Sequence, residues 1–300
     1  MRRLWSLIGV TILSMTYWTS SAFAQTESYV AIGDSLAAGQ TPYQEIDVGY
    51  SDLIAMKLSS IGQLSFYTKE LAFPGFTTAN VLDRIQSEEA QHLLANATLI
   101  TVSAGANDLL RLVQVNPSAG TLAFSQLQTD YALNLARKNM TTILDELVER
   151  APKAKVYVMG YYFAYPTVHP SQKEGTNAQL VKLNAILQQQ AEHAGAVYVD
   201  VYDAFGLNGT SYLPNSADVH PNAEGYRQMA NSFLQAYSGS DALQISSSEL
   251  PKANPLSFEE IVKQQSSAKP QKEKVTQQQP ARVAYVIQGF PGYQAFIKNI

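Results

Sequence analysis

The chain has no cysteine among its 300 residues, and only four histidines and two tryptophans. Without thiols there is no disulfide, no thiolate nucleophile, no Cys-ligated zinc or iron–sulfur cluster and no lipidated N-terminal cysteine. Any metal would have to be held by histidine and carboxylate. Charge is scarce too, at 15% of residues, and 21 Lys and Arg against 25 Asp and Glu leave a net charge of −4. No basic block stands out, which argues against nucleic acid, because phosphate binding needs clustered Lys and Arg. Long apolar runs are also missing. The stretch from Leu4 towards Tyr17 is broken by Ser6, Ser14 and Thr16 and falls short of the roughly 20 residues of a membrane span. Preceded by Arg2 and Arg3 and followed by Ser20, Ser21 and the small-x-small triplet Ala22-Phe23-Ala24, it reads as an export signal over residues 1–24. The expectation is a secreted, extracellular or cell-surface monomer with no stable membrane span after cleavage.

What is present is apolar material, at 46% of residues, enough for one large domain. From Tyr29 to Tyr237 short β-branched runs alternate with helical patterns, the signature of an α/β domain with a parallel sheet. The strands are expected at Tyr29 to Ile32, Leu64 to Tyr67, Leu99 to Ser103, Lys155 to Gly160 and Ala196 to Asp200. Helices are expected over Ser125 to Arg150, ended by Pro152, over Ala178 to Ala194, stopped by Gly195, and over Ala223 to Ala236. The domain is thus drawn as 25–237. The composition then shifts to Ser, Gln, Lys and Pro, and 238–280 reads as a flexible linker. Hydrophobicity returns in 281–300, where Tyr293, Phe296, Ile297 and Ile300 form one amphipathic face, expected to dock on the parent domain.

Chemistry is concentrated at strand ends. Ile32-Gly33-Asp34-Ser35-Leu36 puts Ser35 at the first strand-to-helix turn, on the edge of the sheet where ligands bind in open parallel sheets. A serine nucleophile needs a base, and histidine, with an unperturbed pKa of about 6.5, can take the hydroxyl proton and return it near neutral pH. Of the four histidines, His220 alone has a carboxylate two residues away, in Asp218-Val219-His220-Pro221. His169 reads as a loop residue, and His92 and His193 as helix-surface residues. In extended chain Asp218 and His220 share a face, so Asp218 is able to orient the imidazole; a backbone carbonyl and Asp203 are the alternatives. The backbone N–H groups of Ser35 and Gly75 and the amide of Asn107 are candidate donors to an oxyanion. Taken singly, Gly75 has the plainer reading of a turn and Asn107 that of a helix cap. Asp34 and Asp108 read as structural carboxylates at helix N-termini.

The order Gly-Asp-Ser-Leu, then Gly75, then Gly-x-Asn-Asp at 105–108, then His-Pro-Asn at 220–222 resembles the GDSL or SGNH hydrolase family over about Tyr29 to Tyr237. The resemblance implies a flavodoxin-like fold, a five-stranded parallel sheet flanked by helices. It also implies Ser35 as nucleophile, His220 as base, and Gly75 and Asn107 with Ser35 as the oxyanion hole. The family places its acid three residues before the histidine, where this chain has Ala217; Asp218 comes one residue later. No Gly-x-Ser-x-Gly elbow, phosphate loop, His-Glu-x-x-His motif or dinucleotide glycine fingerprint is found. The expectation is a serine esterase or lipase acting on acyl or lipid esters, with no cofactor and no metal. Tyr43, Phe73, Phe76, Tyr161, Tyr162, Phe163 and Tyr165 are candidates to line an acyl pocket. The competing readings are an O-acetylesterase on cell-wall glycan and a noncatalytic extracellular binding scaffold.

Overall fold

A computed structural model describes residues 26–253, with Glu260 and Lys263 beyond them. The expected export signal over 1–24 and the expected tail over 281–300 lie outside the described residues. In chain order the first elements are β1 (Glu27–Gly33), α1 (Ser35–Ala38), α2 (Tyr50–Ser60), β2 (Leu64–Ala72), α3 (Thr78–Ile85), α4 (Glu88–Asn96), β3 (Leu99–Ser103) and α5 (Ala106–Leu110). They are followed by β4 (Gln114–Asn116), β5 (Thr121–Ala123), α6 (Gln126–Arg150), β6 (Lys155–Met159), α7 (Pro170–His193), β7 (Val197–Val199), α8 (Tyr202–Phe205) and α9 (Ala223–Ser238).

Tyr29, Val30, Ala31 and Ile32 of β1 have no exposed surface. A strand apolar on both faces needs cover on both, and crossover helices supply it. β1 lies in parallel between β2 and β3, and the sheet runs β2-β1-β3-β6-β7. Counting only these five strands, the order is 2-1-3-4-5, the flavodoxin-like arrangement with its switch point at β1 and β3. Helices α2 and α9 pack together, while α6 packs against α3, α4 and α7. All five expected strands form, and among the described residues no helix is long and apolar enough to cross a membrane.

Three features depart from the expected outline. Helix α7 starts at Pro170, eight residues before the apolar periodicity begins; His169 caps it and proline opens it. Its first turns are largely solvent-facing, so no periodic apolar signal marks them. An antiparallel hairpin, β4 with β5, stands between α5 and α6. Past Tyr237, the start of the expected linker packs on the domain in two short turns, Asp241–Leu243 and Ser247–Glu249. Ile245 is buried there, and the Asn231 side chain grips its backbone on both sides, accepting from its N–H at 2.7 Å and donating to its carbonyl at 3.0 Å. Lys57 closes on Glu249 at 3.1 Å.

Candidate active site

β1 ends at Gly33, where a Cβ would stand 2.2 Å from the Ser103 carbonyl oxygen. Only glycine fits so close to β3, and its φ of 144° is one that other residues rarely adopt. Asp34 then caps α1, its Oδ1 accepting from the Leu36 N–H at 3.0 Å. Ser35 is therefore the first residue of a single helical turn at the carboxyl edge of the sheet, where its own N–H has no intrahelical acceptor.

His220 arrives from the loop between α8 and α9. Its Nε2 lies 2.8 Å from Ser35 Oγ, and its Nδ1 lies 2.7 Å from Asp218 Oδ1. The same carboxylate oxygen accepts the His220 backbone N–H at 2.7 Å. A carboxylate only accepts, so the shared proton sits on Nδ1 and Nε2 turns its lone pair to the serine hydroxyl. The spacing of two residues works for a reason other than the expected one. No strand runs through 213–222; Asp218 instead folds back on its own chain as an Asx turn and holds both the backbone and the ring of the residue two further on. Asp203 stays exposed on α8. The loop is braced by Tyr162, whose hydroxyl donates to the Val219 carbonyl at 2.7 Å, and by Asn215, whose amide donates to the Pro42 carbonyl at 2.8 Å.

The other two blocks meet beside this line. Phe73-Pro74-Gly75-Phe76 forms a turn closed by the Phe76 N–H on the Phe73 carbonyl at 3.2 Å, with Gly75 at φ 82° in its third position. Proline second and left-handed glycine third is the type II pattern. Space is open around the place of a Gly75 Cβ, so conformation rather than crowding selects the glycine. Asn107, second in α5, donates from Nδ2 to the Phe76 carbonyl at 3.0 Å. One amide N–H is thereby anchored next to Gly75, and the amide's second N–H is left for a ligand.

Asp34 and Asp108 are both buried. Asp108 caps α3 rather than its own helix, accepting from the Thr78 N–H at 2.9 Å and the Thr78 hydroxyl at 2.7 Å. Burial pushes its carboxyl above the ordinary value, and these bonds oppose the rise. His92 and His193 lie exposed on α4 and α7, and His169 accepts from the Ser171 N–H at 3.3 Å as an N-cap.

A cavity of about 100 Å³ opens beside Ser35, Asn107 and His220. Of the seven candidate aromatics, Tyr161, Tyr162, Phe163 and Tyr165 line it. Tyr43, Phe73 and Phe76 do not; Tyr43 is 70% exposed, and Phe73 packs against Phe76 with the rings tilted and their centroids 5.4 Å apart. The rest of the wall was not foreseen: Leu109 and Leu110 of α5, Val113 and Phe124 flanking the hairpin, and Leu180 and Leu183 of α7. No motif in the sequence marks them.

This sheet order, with a serine after the first strand and a histidine before the last helix, defines a flavodoxin-like α/β protein with a candidate nucleophile and base at the carboxyl edge of its sheet. The chain belongs to the GDSL-like Lipase/Acylhydrolase family, whose model matches residues 31–228. It is 23% identical over 253 residues to the uncharacterized protein YpmR of Bacillus subtilis (strain 168), covering 78% of this chain and 95% of that protein. Among solved structures it is similar to the lipase Lip_vut3 from a goat rumen metagenome, with a TM-score of 0.57 and 20% identity over 69% of this chain and 96% of that one. It is also similar to an acetylxylan esterase from Geobacillus stearothermophilus, with a TM-score of 0.52 and 16% identity over 71% and 94% of the two chains.

Proposed function

We propose that the protein is an exported serine esterase that hydrolyses carboxylic esters of acyl or lipid type through an acyl-serine intermediate. The observation that carries this reading is the unbroken hydrogen-bonded line from Asp218 through His220 to Ser35, ending at the mouth of an apolar cavity. In the reaction, Ser35 Oγ bonds to the ester carbonyl carbon while its proton passes to His220 Nε2. The negative charge moves to the carbonyl oxygen, where the N–H groups of Ser35 and Gly75 and the free N–H of Asn107 receive it. The carbon–oxygen bond to the alcohol then breaks, and His220 protonates the leaving oxygen. Water, deprotonated by His220, attacks the acyl-serine and releases the carboxylic acid, restoring the hydroxyl. Asp218 holds the ring and balances the imidazolium formed twice in each turnover.

The apolar wall of the cavity favours acyl chains over acetyl groups on glycan, which would need polar partners for sugar hydroxyls. Export rests on the N-terminal pattern of Arg2, Arg3, the apolar stretch and Ala22-Phe23-Ala24. The test is turnover of p-nitrophenyl esters from acetate to palmitate by the mature protein and its Ser35→Ala variant. Serine-dependent release with an optimum beyond acetate is expected. A strict preference for acetate would move the reading to an O-acetylesterase, and no release from any ester would favour a binding scaffold.

A further inference from the structure

Beneath Ser35 lies a second line of hydrogen bonds that the reaction above does not use. Asp34, 1% exposed, receives three donors: the Leu36 N–H and the Ser103 hydroxyl on Oδ1, each at 3.0 Å, and the Tyr161 hydroxyl on Oδ2 at 2.6 Å. All three bonds are received by the carboxyl oxygens, which fixes the orientation of the group. Tyr161 is itself fixed by Asn184 of α7. The Asn184 side chain accepts from the Tyr161 N–H at 2.9 Å and donates to the Tyr161 carbonyl at 2.7 Å, standing in for the next strand just past the end of β6. The ring of Tyr161 lines the cavity, yet its hydroxyl is turned onto Asp34.

We infer that Tyr161 is a positioning residue for the nucleophile: held by Asn184, its hydroxyl fixes Asp34, and Asp34 fixes the single helical turn that carries Ser35. This rests on the reading of Ser35 as nucleophile. A residue that merely lined the cavity would act on substrate binding, and loss of its hydroxyl would leave the intrinsic reactivity of Ser35 untouched.

The experiment compares wild type, Tyr161→Phe, Asp34→Asn and the double variant by kcat and KM on one ester, and by the rate of covalent labelling with a small fluorophosphonate. Ser35→Ala is the control. Tyr161→Phe is expected to lower kcat by about 10- to 100-fold with KM little changed, the scale of a misplaced reacting group, and to slow labelling by a similar factor. The double variant is expected to be no worse than the worse single one, because both act through one chain of contacts. Wild-type kcat and labelling in Tyr161→Phe, or a change confined to KM, overturns the inference. Should Tyr161→Phe not fold, Asn184→Asp carries the same test, since it keeps the acceptor for the Tyr161 N–H and removes the donor to its carbonyl. Full turnover by Ser35→Ala would instead overturn the nucleophile assignment itself.

Discussion

Asp218 grips His220 at two points with one oxygen, so its removal frees both the ring and the backbone that aims it. Asp218→Asn keeps the shape but offers an amide that favours the wrong imidazole tautomer, and kcat is expected to fall by about 10⁴-fold, the scale seen for such a change in a catalytic triad. Steady-state kinetics on a soluble ester checks this; a loss below tenfold would mean that His220 works without it. If Asn107 is an oxyanion donor as proposed, Asn107→Ala is expected to lower kcat by about 10²- to 10³-fold. Retention of full activity by the purified variant would take Asn107 out of the site. Asp34 makes a prediction about stability. Burial raises its carboxyl above the ordinary value of 3.8, with the bonds from Tyr161, Leu36 and Ser103 and the nearby His220 opposing the rise. The folded state therefore holds this proton more tightly than the unfolded chain does. Its contribution is full below the ordinary value and is lost as pH rises through the folded one. Denaturant unfolding of wild type and Asp34→Asn between pH 7 and pH 4 is expected to show the wild type gaining on the variant as pH falls; a constant gap would contradict the sign.

At the scale of elements, the hairpin of β4 and β5 adjoins the cavity wall, because Val113 and Phe124 at its two ends line the cavity. Its inner residue Leu122 packs with Phe163 and Val168, and the Gln172 side chain holds Leu122 by its N–H at 2.9 Å and its carbonyl at 2.8 Å. Gln172→Ala leaves Ser35, His220 and Asn107 untouched, so it is expected to raise KM for long-chain esters several-fold while leaving acetate hydrolysis unchanged. An equal effect on both would show that the hairpin supports the catalytic turn rather than the acyl wall. This hairpin also marks the limit of what the sequence made legible. The five sheet strands were readable because each is a short run rich in β-branched or aromatic residues, β2 through Phe66 and Tyr67; Ser35 and Asn107 were readable because their motifs follow strands, and His220 because a carboxylate stands two residues before it. The hairpin strands are three residues long, with all but Leu122 exposed, and carry no alternation. The packed segment after Tyr237 was hidden for a similar reason, since its anchors, buried Ile245 with partly buried Leu243 and Leu250, are scattered among serines and other polar residues. The Asp218 geometry was legible in outcome but not in cause, because an Asx turn leaves no periodic trace.

Across the whole molecule, the five-stranded sheet sets two turns side by side at its carboxyl edge, and the helices α5 and α7 close an apolar space against them. Burial of each additional methylene in such a space contributes about 0.8 kcal/mol, or about fourfold in kcat/KM when realised in the transition state. Activity along an ester series is therefore expected to climb by up to that factor per carbon and then level off where the cavity ends. A flat profile would place the acyl chain in solvent. The central claim, that Ser35 carries the acyl group, is tested most directly by acid-quenching the enzyme during turnover of a p-nitrophenyl ester and mapping the modified peptide by mass spectrometry. The account predicts a mass increase equal to the acyl group on Ser35, accumulating in Asn107-intact enzyme and absent from Ser35→Ala. An acyl group on any other residue, or ester hydrolysis that persists in Ser35→Ala, would contradict it.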